Sequence, residues 1–156
     1  MDADELTMHI RNAFDGIRTL TANGDTFFIY DPDGDLPPER QMPFATIVTG
    51  DHYDRVSELD RAPGDYRLNI GLTKATYTAR FGAAPTQRNA DGVLESGFDY
   101  AVRDRLLPHP YYASQHWVGV VNPSTATFDA VRPLLDEAHE YAARKYANHR
   151  ARRAAG

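Results

Sequence analysis

Cysteine is absent from the 156 residues, so the chain can form no disulfide, offer no thiolate nucleophile and hold no cysteine-ligated zinc. The marks of several other chemistries are missing too. Neither G-x-G-x-x-G nor G-x-x-x-x-G-K-[ST] occurs, which removes the glycine-rich phosphate cradles, and there is no H-E-x-x-H pair for a helical zinc site. Ser57, Ser96, Ser114 and Ser124 all stand outside a G-x-S-x-G elbow, the strained turn that exposes a hydrolase serine. No run reaches the roughly 18 apolar residues of a membrane span. The opening Met1-Asp2-Ala3-Asp4-Glu5 is acidic where a secretory leader is basic. These absences point to the cytoplasm as the expected compartment, and to no cofactor and no resident metal.

What is present fits a globular domain. Apolar residues make up 42% of the chain and charged residues 25%, and a chain of this length buries roughly two thirds of its unfolded surface. The net charge of −5 hides an asymmetry, because residues 1–65 carry 14 acids against 5 bases and residues 66–156 carry 8 acids against 12 bases. An anionic partner belongs to the second half. Arg144, Lys145, Arg150, Arg152 and Arg153 follow the last acid, Glu140. We therefore expect a single α+β domain over 1–143 and a basic helical tail over 144–156, which either meets nucleic acid or stands solvated with its cations complementing the helix dipole.

Asp2 and Glu5 form a capping-box pattern, and Leu6, Ile10, Ala13 and Phe14 recur at helical spacing, so a first amphipathic helix is expected over 3–14. His9 falls off that stripe and reads as a surface residue. Thr26–Tyr30 reads as a strand running into the turn chemistry of Asp31-Pro32-Asp33-Gly34-Asp35. The alternating aspartates resemble a calcium loop, but glycine is fourth instead of sixth and the twelfth residue is Met42 instead of glutamate. Phe44–Thr49 reads as a strand, while 51–61 is too polar for a core element. Tyr66–Leu72 alternates most clearly, with Tyr66, Leu68, Ile70 and Leu72 on one face and Arg67, Asn69 and the gap at Gly71 on the other. That second face is either solvated or a pocket wall, where a ligand or backbone could approach closely at Gly71. Thr73 and Gly82 bracket a short helix, and 83–97 reads as a long loop. A return to packed structure follows at Phe98–Leu107, with a short helix through Asp104. A last helix begins at Thr127, with Pro133 forcing a kink or a start nearby.

The richest window is Leu106–Ser124. It holds His109 and His116, the single tryptophan Trp117, Tyr111 and Tyr112, and three prolines. Trp117–Val121 reads as a buried strand, and the proline-stiffened approach 108–116 as the better candidate for function. Tyr100, Tyr111, Tyr112 and Trp117, with Gln115, Asn69 and Arg67, would make a wall of apolar faces with polar tips; the competing reading makes Trp117 and Tyr112 core anchors. His109 and His116 could converge on a metal only if a third ligand came from His52, Asp51 or Asp99.

Phe44–Thr49, Arg67-Leu68-Asn69-Ile70-Gly71 and His109–Pro123 together resemble a bacterial family, domain of unknown function 6194, over nearly the whole chain. The order of elements is more distantly similar to the MmcQ/YjbR-like superfamily. That likeness implies a frataxin-like layered α+β fold and a link to DNA binding. From the residues we expect a mainly antiparallel sheet of about four or five strands packed on N- and C-terminal helices. The leading functional expectation is a non-enzymatic module binding a small or anionic ligand, or a protein partner, through Arg67, Asn69, His109, Tyr111, Gln115 and Trp117. Nucleic-acid binding through the tail is the alternative, and a hydrolase-type enzyme with His109 or His116 as general base is the second.

Overall fold

The computed structural model describes residues 1–52 and 55–155. Helix α1 spans Ala3–Ala13, and its first turn is closed reciprocally: the Glu5 amide donates to Asp2 Oδ1 at 2.8 Å and the Asp2 amide to Glu5 Oε2 at 3.1 Å. Two orphan N–H groups are thereby satisfied at the helix start. The strands are β1 (Ile17–Ala22), β2 (Asp25–Tyr30), β3 (Ala45–Val48), β4 (Arg67–Gly71), β5 (Leu106–Pro108) and β6 (Trp117–Val121). They form one sheet in the order β1-β2-β3-β4-β6-β5, with every neighbouring pair antiparallel. Helix α2 spans Lys74–Phe81 and α3 spans Thr125–Ala155.

The sheet thus has six strands, not four or five. Strand β1 is the addition, paired to β2 through a hairpin whose turn residues Asn23 and Gly24 have φ of 54° and 83°. Only residues that tolerate positive φ can turn a two-residue hairpin this way. In place of the short helix expected through Asp104, residues 98–105 form turns and a bridge from Arg103 to Val121, and strand β5 follows them. Helix α3 starts before Thr127, with the Thr127 amide bonded to Ser124 Oγ at 3.2 Å, and Pro133 lies inside it. The proline is exposed, as is Asp129, so the carbonyl that loses its partner faces water instead of the core. The helix runs without interruption through the basic residues to Ala155.

One face of the sheet is apolar and covered by helices. Phe28, Ala45, Ile47, Leu68, Ile70, Val118 and Val120 meet Leu6 and Ile10 of α1 and Phe128, Val131, Leu135 and Ala138 of α3 in one cluster. His9 is only half exposed, contrary to its surface reading; its ring stands edge-on to Phe128 at 5.1 Å, with Nε2 buried and without a partner. Each large side chain buried here stabilises the fold by about 1.5–3 kcal/mol.

The opposite face carries the alternate residues. Its central row is Phe27, Thr46, Asn69, Gly119 and Leu107, set side by side by register. The segment read as too polar for a core covers part of this face. Ser57 is fully buried, and Leu59 packs with Val48 and Val121 in a second cluster; Tyr53 and Asp54 of that segment lie outside the described residues. Arg103 fastens the segment, donating to the Ser57 and Glu58 carbonyls and to Asp65, each at 2.7 Å.

Two glycines permit the polar face. A Cβ at Gly119 would stand 2.8 Å from Asn69 Oδ1 and 3.1 Å from Arg67 Cδ, and one at Gly71 would stand 2.9 Å from the Trp117 indole. The gap foreseen at Gly71 is filled by this chain's own tryptophan, not left to a ligand. Gly119→Ala is expected to lower stability by about 1–3 kcal/mol through this overpacking. Urea unfolding measures it, and an unchanged midpoint would contradict the close approach.

Candidate functional site

All six residues singled out from the sequence line one cavity of about 760 Å³ on the sheet face away from the helices: Arg67, Asn69, His109, Tyr111, Gln115 and Trp117. Strands β4 and β6 supply Arg67, Asn69 and Trp117, and the 109–116 turn folds over them. Tyr100 is elsewhere, its hydroxyl 2.6 Å from the Leu94 carbonyl. His109 and His116 do not converge. His116 turns to the Tyr77 ring, 5.7 Å away, and lines a different cavity. Trp117 is half-buried and Tyr112 is 53% exposed, so neither is the core anchor that the competing reading made of it.

The floor is a hydrogen-bonded chain along the sheet. Arg67, 4% exposed, donates from Nε to Asn69 Oδ1 at 2.8 Å and from a terminal nitrogen to Ser57 Oγ at 2.6 Å. Asn69 Nδ2 donates to Thr46 Oγ1 at 3.0 Å. Burying a guanidinium is tolerable only with such partners. Among the described residues the chain ends on donors, since one Asn69 Nδ2 proton and the Thr46 hydroxyl proton have no acceptor.

His109 forms the roof. The tight turn after Pro108 brings the amides of Tyr111 and Tyr112 onto His109 Nδ1 at 3.0 and 3.1 Å. A nitrogen accepting two N–H bonds carries no proton, so the ring is the Nε2–H tautomer. Burial, and secondarily the Arg67 charge, hold its pKa well below the ordinary histidine value. Nε2–H has no partner among the described residues, although the residue is only 4% exposed. Apolar surface completes the wall through Phe27, Met42, Pro43 and the ring of Tyr112, which lies 5.0 Å from that of His109.

Several contributors escaped sequence reasoning. Thr46 sits opposite Asn69 only through strand pairing, and nothing local marks Ser57. Asp25, 1% exposed, accepts from the Thr49 amide at 2.8 Å and lies 2.7 Å from His52 Nε2, closing one edge. The 83–97 segment is not a plain loop. Arg88 and Leu94 form a bridge around a turn held by Asn89 Oδ1, and Arg88 donates to the Tyr111 carbonyl at 3.0 Å, so this small hairpin braces the roof. Among the described residues no group of three His, Asp or Glu side chains could hold a metal ion. Asp31, Asp33 and Asp35 are engaged by protein cations: Arg18 Nε at 3.1 Å on Asp31, and Arg150 at 2.9 and 2.7 Å on Asp33 and Asp35.

A model of a family of unknown function, DUF6194, matches residues 1–152. The chain belongs to that family. Searches of the curated proteins and of the solved structures find no significant match. The DUF6194 match thus spans every strand and both walls of the cavity. No helix among the described residues is long and apolar enough to cross a membrane.

Because His109 is neutral when folded and ordinary when unfolded, the unfolded chain binds the extra proton between the two pKa values. Stability contributed by His109 is therefore present above about pH 6.5 and lost as pH falls below it, by up to about 1.4 kcal/mol per pH unit. His109→Asn keeps an acceptor for the two amides and removes the titration. Urea unfolding of both proteins from pH 7.5 to 5 is expected to show the wild type losing more stability; parallel profiles would mean that His109 is not held neutral.

Proposed function

We propose that the protein is a non-enzymatic binding module whose ligand is a small molecule with hydrogen-bond acceptors on a flat apolar body. The observation that carries this reading is the Nε2–H of buried His109, without a partner among the described residues, on a cavity of ~760 Å³. With the Asn69 and Thr46 protons it makes a set of donors without matching acceptors, between aromatic and aliphatic walls. Carbonyl, carboxylate or ring-nitrogen acceptors would complete that set, and each bond would contribute about 0.5–1.5 kcal/mol.

The same tautomer disfavours a hydrolase. A general base needs a free lone pair on the reacting side, whereas His109 spends its lone pair on the loop and turns a proton to the cavity. Nucleic-acid binding through the basic helix end would rest mainly on exposed Arg144, Arg152 and Arg153. Arg150 is held by Asp33 and Asp35, and Lys145 lines a cavity of its own. We favour the cavity over the tail for this reason. A cytoplasmic setting suits a chain without cysteine.

A thermal-shift screen of acceptor-rich aromatic compounds should yield stabilising ligands for the wild type. His109→Asn, which keeps an acceptor for the loop amides and withdraws the donor from the Nε2 position, should weaken those ligands by about tenfold, one charge-neutral hydrogen bond into a buried site. Hits that bind both proteins equally would count against this site.

A further inference from the structure

On the other side of Trp117 lies a second cavity, of about 780 Å³, between the 38–44 segment, the start of α2 and the C-terminal half of α3. Three exposed cations stand on its wall. Arg40, Lys74 and Lys145 line it with His116 and His149, and Glu39 is the one carboxylate on its wall among the described residues. None of the three cations makes an ion pair with a described residue. Glu137 takes the Thr73 and Thr76 hydroxyls at the α2 N-terminus, at 3.0 and 2.6 Å, so the α2 dipole already has its own anion, and the case rests on the side-chain cations.

The end of α3 is held over the cavity. Arg150 reaches Asp33 and Asp35, and the Tyr146 hydroxyl donates to Asp33 at 2.8 Å. Lys145 is an exposed residue, but its ammonium sits 4.5 Å from the centroid of the Tyr141 ring, and desolvation lowers its pKa below the usual lysine value. His149 is likewise lowered, first by desolvation and then by Arg40 and the arginines 153, 152 and 150. The cations that lower His149 mark a place where positive charge is in excess.

We propose that this cavity is a binding site for a small, multiply charged oxyanion of the phosphate-ester or polyphosphate class, with Arg40, Lys74 and Lys145 as its principal ligands. Like-signed groups gathered on one concave wall repel one another until an anion enters and takes charge-assisted hydrogen bonds from them. A lone phosphate would fill little of such a volume. The rings of Tyr30, Tyr141, Tyr146 and Trp117 on the same wall leave room for an organic body attached to the anion.

Calorimetric titration of the full chain with tripolyphosphate, at fixed ionic strength, tests the site, with citrate as the carboxylate arm. The expected result is saturable one-to-one binding of tripolyphosphate and weaker binding of citrate. Arg40→Gln and Lys145→Gln should each weaken tripolyphosphate about ten- to a hundredfold, the scale of one charge-assisted hydrogen bond. Arg152→Gln, on the same helix but off the cavity wall, and His109→Asn, in the other cavity, should leave it unchanged. Citrate binding as tightly as tripolyphosphate would overturn the phosphate assignment. No saturable binding by the wild type, or an equal loss in Arg152→Gln and Lys145→Gln, would overturn the site itself, and neither result touches the first cavity. Thermal melts of each variant establish that it is folded before titration.

Discussion

A buried arginine lying flat on a sheet is the constraint around which the face away from the helices is built. The Arg67 side chain can run across β4 toward β6 only because position 119 has no Cβ, and Asn69 and Ser57 accept its protons there. Removing a guanidinium from water without partners would cost several kcal/mol. The 55–65 segment must therefore come down onto the sheet to bring Ser57 within reach, and Arg103 ties it there through two backbone carbonyls. The polar floor and the loop that covers it are two sides of one requirement.

From that floor the chemistry of the cavity follows in order. A guanidinium only donates, so the groups Arg67 touches must turn their oxygens toward it and their protons away. Asn69 gives Oδ1 to Arg67 and Nδ2 to Thr46, and the surplus along the chain is a set of donors. His109 adds a donor from above, since its turn consumes Nδ1, and the Arg67 charge beside it opposes a second proton on the ring. A cation in the floor, a neutral imidazole in the roof and an excess of N–H and O–H groups between them are thus consequences of one another.

How far the sequence discloses this depends on the range of the interactions. Period-two alternation in Tyr66–Leu72 announces which side chains share a face, and the proline-bounded His109–His116 segment announces a turn; both signals are local, and both lead to the cavity. The Asn23-Gly24 hairpin was readable by the same standard, since an Asn-Gly pair between β-branched residues has a direct conformational meaning, but the flanking Ile17–Ala22 strand is polar and half exposed and carries no apolar stripe. Ser57 and Leu59 were hidden by their charged neighbours, because what buries them is Arg67 and Val121, remote in sequence. Gly71 shows the reverse hazard. A missing side chain in a strand signals close approach, but not by what, and here the approaching group is Trp117.

Trp117 also explains how two cavities of opposite character coexist so near each other. The indole lies over Gly71 and lines both, together with Met42, Pro43 and Gln115. On one side of this ridge the groups are hydrogen-bond donors set on a sheet; on the other they are cations carried by α2, α3 and the 38–44 segment. A sheet face fixes its side chains by pairing and register, which favours directional hydrogen bonds. Long side chains at helix ends and in loops offer charge without fixed direction, which favours an anion over a shape. Were position 71 any residue but glycine, the indole would have to leave the sheet, and the ridge separating these two environments would be lost with it.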